Sequence, residues 1–208
     1  MSFTIPESIT SIGCGAFAGC SSLTSIIIPN SITALGGETF SGCTNLVDIK
    51  LPDNLTTIQV YDFYSCVALQ KISIPESVTT IGNYAFYECN TLTSVTVGNP
   101  VPVSISENTF SNADNSILFI PVGSKAIYGA ADYWKDFKEI VEIETEVVLG
   151  DANGDGTVDA NDIVDIVNHT MGNPTSTGKF NKKAADINED GVVNIADIVA
   201  ISNIIMKK

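Results

Sequence analysis

The sequence predicts a two-domain α+β chain, a β-solenoid followed by a small all-α module, and three observations predict it. The first hundred residues repeat one 23-residue unit four times. Two acidic twelve-residue loops, DANGDGTVDAND from Asp151 and DINEDGVVNIAD from Asp186, stand 35 residues apart near the end. A polar stretch around Thr145 with no helical period separates the two regions. A chain of 208 residues accommodates two such bodies, and we place them at 1–144 and 147–208.

The repeat is read first. From Ile9 the copies are ITSIGCGAFAGCSSLTSIIIPNS, ITALGGETFSGCTNLVDIKLPDN, LTTIQVYDFYSCVALQKISIPES and VTTIGNYAFYECNTLTSVTVGNP. They align without gaps in columns: Phe17, Phe40, Phe63, Phe86; Cys20, Cys43, Cys66, Cys89; Leu23, Leu46, Leu69, Leu92. A fixed period of this length marks a solenoid, because one unit cannot bury its apolar edge except against the next. A looser fifth copy surrounds Phe110, with its strand in ILFIP. The cysteine column is expected to point inward as a ladder of small buried thiols.

Each copy carries a short strand of the form L-x-x-L-x-L, such as Leu46-Val-Asp-Ile49-Lys-Leu51. Alternation turns Ser25 and Ile27, Asp48 and Lys50, Lys71 and Ser73, Ser94 and Thr96 outward, a polar strip suited to a protein or glycan ligand. Tyr61, Tyr64, Tyr84 and Tyr87 flank the phenylalanine column in two adjacent copies and are expected to cover its edge, the alternative being a second binding surface that stacks on sugar rings or mediates self-contact. The closing stretch AIYGAADYWKDFKEIVEI supplies Tyr128, Tyr133, Trp134 and Phe137 to cap the last open edge. These columns and the IPES-type turns resemble the bacterial leucine-rich repeats of the BspA type over Ser2 to Glu144. The chain begins inside a repeat at Thr4-Ile5-Pro6-Glu7, which leads us to expect a longer natural protein with its export signal upstream.

The two acidic loops each put oxygen-bearing side chains at positions 1, 3, 5, 9 and 12 and glycine at 6, the arrangement that wraps a calcium ion in one turn of backbone. The first offers Asp151, Asn153, Asp155, Asp159 and Asp162 around Gly156, with the carbonyl of Thr157. The second offers Asp186, Asn188, Asp190, Asn194 and Asp197 around Gly191, with the carbonyl of Val192. Two calcium sites are therefore expected, the second weaker because it has three ligand carboxylates against four. A short helix follows each loop, with apolar Ile163, Val164, Ile166, Val167 and Met171 in one and Ile198, Val199, Ile201, Ile204 and Ile205 in the other. GNPTSTGKF breaks the chain between them. A module of about 60 residues buries little apolar surface, so metal is also a means of holding it folded.

DANGDGTVDANDIVDIVN and DINEDGVVNIADIVAISN resemble the duplicated loop-helix pattern of a type I dockerin. The resemblance implies a cohesin partner, met by Ala160, Asn161, Val167 and Asn168 in the first copy and by Ile195, Ala196, Ser202 and Asn203 in the second. It also implies an extracellular, polysaccharide-degrading setting in which calcium is plentiful. Two other readings are open: an adhesin whose tail is only a structural cap, and the C-terminal part of a longer secreted hydrolase.

Composition narrows the field. Ten lysines, no arginine and 24 acidic residues give a net charge of −14, and residues 1–146 alone hold 15 acids against 5 lysines. Such a surface repels phosphate, so nucleic acid is not expected as a partner. No membrane-spanning run is expected either. The single histidine, His169, reads as a surface residue of the first loop-following helix, and no nucleophile motif accompanies it. The chain is expected to bind rather than catalyse.

Overall fold

The computed structural model describes residues 2–143, 148–154, 157–175 and 180–207, and the chain falls into two compact units, Met1–Ile143 and Glu144–Lys208. The linker around Thr145 lies outside the described residues.

The first unit is a solenoid built on in-register parallel strands. β1 (Ser2–Thr4), β2 (Ser25–Ile27) and β3 (Asp48–Lys50) form one sheet. β5 (Lys71–Ile74), β7 (Ser94–Val97), β8 (Ile117–Pro121) and β9 (Glu139–Ile143) form a second. Ser25 pairs with Asp48 and Lys71 with Ser94, so one repeat advances the chain by one strand. A smaller ladder, β4 (Thr57–Ile58) with β6 (Thr80–Ile81), marks a second corner of the coil.

Strand alternation sorts the side chains as the repeat predicts: Ile26, Ile28, Ile49 and Ile72 are buried, while Ile27 stands 51% exposed beside Asp48, Lys50, Lys71 and Ser73 on the outer strip. Lys71 and Asp48 approach to 3.5 Å at the surface, where such a pair adds at most about 1 kcal/mol.

Phenylalanines hold the stack together. Phe17, Phe40, Phe63, Phe86 and Phe110 stack nearly parallel with centroids 5.3, 5.5, 5.1 and 4.8 Å apart. Each fully buried ring removes enough apolar surface for about 3 kcal/mol, and each ring contact adds about 1 kcal/mol. Beside them the thiols of Cys43, Cys66 and Cys89 donate to the carbonyls of Phe17, Phe40 and Phe63 at 3.1, 3.2 and 3.1 Å. Burial pushes the Cys43 thiol up to about 11 and the Cys89 thiol to about 12. The expectation for Cys20 does not hold: it is exposed and free, because no turn of the described chain stacks over that end of the ladder. Cys14 is exposed and free as well.

Backbone turns pack as closely as the side chains. A Cβ on Gly82 would lie 2.5 Å from the amide nitrogen of Val60 in the neighbouring turn, so only glycine fits there. Asp62 is buried, with its two oxygens accepting from the Thr39 and Gln59 amides at 3.1 and 2.7 Å, and burial raises its carboxyl above the usual range.

The terminal edge is closed by a cap that includes the short helix α1 (Lys125–Tyr128). Tyr128, Trp134 and Phe137 are buried there, and Trp134 meets both Phe110 and Phe137. The Tyr128 hydroxyl donates to the Asn99 carbonyl and the Trp134 indole to that of Val103, both at 2.8 Å. Tyr133 does not join them. It sits at φ +65° and is 39% exposed, which corrects its assignment to the cap. The four flanking tyrosines are half-buried and stack on one another, Tyr61 on Tyr84 at 5.1 Å and Tyr64 on Tyr87 at 6.0 Å.

The second unit contains α2 (Ala160–Thr170), α3 (Lys182–Ala185) and α4 (Ile195–Ile205). Ile166 and Ile201 meet at its centre with Ala152, Val158 and Ala185, while Ile163, Ile187, Ile198 and Ile204 pack around them. The helix α3 was not expected from the sequence. Asn181 starts it by accepting from the Ala184 amide at 3.1 Å, and its alanines fill the space beneath the loops.

Candidate metal loops and docking helices

Each acidic loop runs straight into a helix, and the residue at loop position 9 is also the residue that caps it. Asp159 accepts from the Asn161 amide at 2.7 Å, and Asn194 from the Ala196 amide at 2.8 Å. Three residues on, Asp162 and Asp197 return the bond, accepting from the amides of Asp159 and Asn194 at 2.8 and 2.9 Å. Both helices thus open with a complete capping box. The aspartate at the twelfth position of each loop thus reaches back to the cap.

The other oxygen of each of these aspartates closes the loop. Asp162 Oδ1 accepts from the Asn153 amide at 3.1 Å, and Asp197 Oδ1 from the Ile187 amide at 2.9 Å. In the second loop the first-half side chains are engaged by the loop's own amides. Asp186 accepts from the amides of Asp190 and Gly191 at 3.1 and 2.8 Å, Asn188 accepts from the Asp190 amide at 3.0 Å, and Asp190 from that of Val192 at 2.9 Å. Glu189 at φ +57° and Gly191 at φ +85° make the reversal. Asn194 also donates to the Val192 carbonyl at 3.0 Å. In the first loop Asp151, Asn153 and Asp162 are buried and Thr157 is exposed, while Asp155 and Gly156 lie outside the described residues.

Burial, and next to it the charge of Asp151, raises the Asp162 carboxyl, against the lowering effect of amides from Asp159, Asn153 and Ala152. Among the described residues no lysine pairs with Asp162 or Asp197, so two fully buried carboxylates lack a positive partner. The donor set is oxygen throughout, which suits a hard divalent cation of calcium's kind. Among the described residues no three acidic, histidine or cysteine side chains are gathered tightly enough to grip an ion by themselves, Asp186, Asp190 and Asp197 of the second loop included. By donor chemistry the residues present fit calcium.

The helices present matched outer faces. Ala160, Asn161 and Val167 are exposed and Asn168 is half-buried; Ile195, Ala196 and Asn203 are exposed and Ser202 is half-buried. The sequence reading treated Val164, Val167, Met171 and Val199 as part of the apolar helical spacing, yet they stand 52, 37, 71 and 55% exposed. Ala160, Val164, Val167, Asn168 and Met171 share one face of α2, and the residues 35 positions on, Ile195, Val199, Ser202, Asn203 and Met206, share one face of α4. His169 is exposed, as expected, with its ring stacked on Phe180 at 3.8 Å. No described helix is long and apolar enough to cross a membrane.

Comparison with known proteins agrees with both units. The family of BspA type leucine rich repeat regions matches residues 1–120 in six copies, and the dockerin type I domain matches residues 149–206. No curated protein matches the chain. Among solved structures, the leucine rich repeat protein of T. pallidum is 26% identical with a TM-score of 0.55, over 68% of this chain and 70% of that one. The pneumococcal vaccine antigen PcpA is 18% identical with a TM-score of 0.56, over 69% of this chain, which spans 42% of the antigen, and it shares the fold. Type I dockerins are calcium-binding modules whose partner is the cohesin domain, and neither matched module type is catalytic. The chain belongs to the BspA type leucine rich repeat family and carries a type I dockerin domain behind its repeats.

Proposed function

We propose that this is a secreted, non-catalytic protein that attaches a recognition solenoid, through its C-terminal module, to a cohesin-bearing scaffold or cell surface engaged in polysaccharide breakdown. The observation that carries the reading is the duplicated outer face, Ala160 to Met171 and Ile195 to Met206, whose apolar members face solvent although the helices have a core to pack against. Exposed valine and methionine in two matched rows indicate a surface made to be covered. The eight residues Ala160, Asn161, Val167, Asn168, Ile195, Ala196, Ser202 and Asn203 lie on or beside these rows and would meet the cohesin.

Two sites would hold calcium. The first would use Asp151, Asn153, Asp155, Asp159 and Asp162 with the Thr157 carbonyl, and the second Asp186, Asn188, Asp190, Asn194 and Asp197 with the Val192 carbonyl. Bound calcium supplies the positive charge that the buried carboxylates lack. Asp162 and Asp197 then join each loop to the first turn of its helix, so that ordering the loop orients the docking face. The outer strip of the solenoid is the surface we assign to a protein or glycan ligand.

A panel of purified cohesins titrated with the whole chain, in calcium and in EDTA, tests this. Binding by at least one cohesin, lost in EDTA and restored by calcium, is expected. No binder in the panel, or a complex indifferent to EDTA, overturns it.

A further inference from the structure

The cap of the solenoid contains an aromatic residue that does no capping. Tyr128, Trp134 and Phe137 close the terminal edge, whereas Tyr133 is turned outward in a left-handed backbone conformation. It lines a cavity of about 210 Å³ with Ile105, Phe110 and Ala113 as its apolar part and Ser106, Glu107 and Asp136 as its polar part. Glu107 and Asp136 are both exposed, and among the described residues neither accepts a hydrogen bond nor closes an ion pair. The neighbouring Lys135 is held chiefly by Asp132, at 2.8 Å, and feels Asp136 more weakly.

An apolar floor, a phenol ring and two carboxylates that close no ion pair make a consistent set. The floor accepts an aliphatic stem, the ring attracts a cation through its electron-rich face, and the carboxylates complete the charge. The volume suits one unbranched side chain. We infer that this cavity binds an alkylammonium group on an aliphatic stem, the chemistry shared by a lysine side chain and a free diamine. The site is separate from the docking helices and does not rest on the cohesin reading.

Isothermal titration of the whole chain with N-acetyl-lysine methylamide and, separately, with cadaverine tests the inference. N-acetyl-norleucine methylamide serves as the uncharged control. One saturable site is expected for an amine, at least tenfold tighter than the control. The isosteric double change Glu107→Gln with Asp136→Asn is expected to weaken it at least tenfold, and Tyr133→Leu about threefold or more. Glu7→Gln with Glu38→Gln removes the same charge elsewhere and is expected to leave binding within twofold. The tighter of the two amines identifies the source as a protein side chain or a free diamine. No saturable binding, an equal response to the uncharged control, or equal losses in both double variants would overturn the proposal.

Discussion

Asp162 and Asp197, 35 residues apart, make the same two kinds of bond: one oxygen takes the amide of the helix cap, and the other takes an amide from the start of its own loop. Each carboxylate joins the beginning of a loop to the beginning of a helix. Replacing Asp197 by alanine removes both bonds, and the loss of the cap alone costs about 1 kcal/mol. Far-ultraviolet circular dichroism of Asp197→Ala should show reduced helicity and a lower melting temperature for the second unit, with the solenoid transition unmoved.

Calcium removal should act on the same unit. EDTA leaves the loop carboxylates to repel one another and should lower or abolish one calorimetric transition while sparing the other. An unchanged melting profile would remove metal-coupled folding from the account.

The thiols offer a chemical test. Cys14 and Cys20 are exposed, whereas Cys43, Cys66 and Cys89 are buried. Iodoacetamide at pH 8 should label two cysteines quickly and three only on unfolding. The pH dependence has a definite sign. The Cys43 thiol lies near 11 in the folded chain against an ordinary 9.0, so the fold favours the protonated form. Its contribution is complete below pH 9 and is lost as pH rises toward 11, at a cost of up to about 3 kcal/mol. Urea midpoints measured at pH 8 and pH 10 should fall accordingly.

Gly82→Ala places a methyl group against the Val60 backbone of the preceding turn and should cost about 2 kcal/mol or more. Gly13→Ala meets nothing within 4 Å and should be nearly neutral. Glu38 sits at φ +61°, is exposed and stands second in a column whose first member is Gly15 at φ +63°. Glu38→Gly should therefore raise stability by about 0.5 kcal/mol, the relief of left-handed strain less the added chain entropy.

The period of 23 made the solenoid legible, because any column that repeats in sequence must stack in space once the strands are in register. Ile26, Phe40, Phe63 and Cys66 were assigned to the core on that ground and lie there. Cys20 and Tyr133 were not so legible. Membership of a column says nothing about whether a neighbour exists to cover it, and an aromatic residue in a cap can face either way.

What the sequence by itself determined is the repeat, its stacked core, the two duplicated acidic loops and the families to which both regions belong, since these follow from spacing and residue type. Only the tertiary structure decided that Val164, Val167, Met171 and Val199 face solvent, that Asp162 and Asp197 tie loop to helix, and that Tyr133 opens onto a cavity beside Glu107. The physical reason is that helical spacing sets which residues share a face, while which face is buried depends on what packs against it.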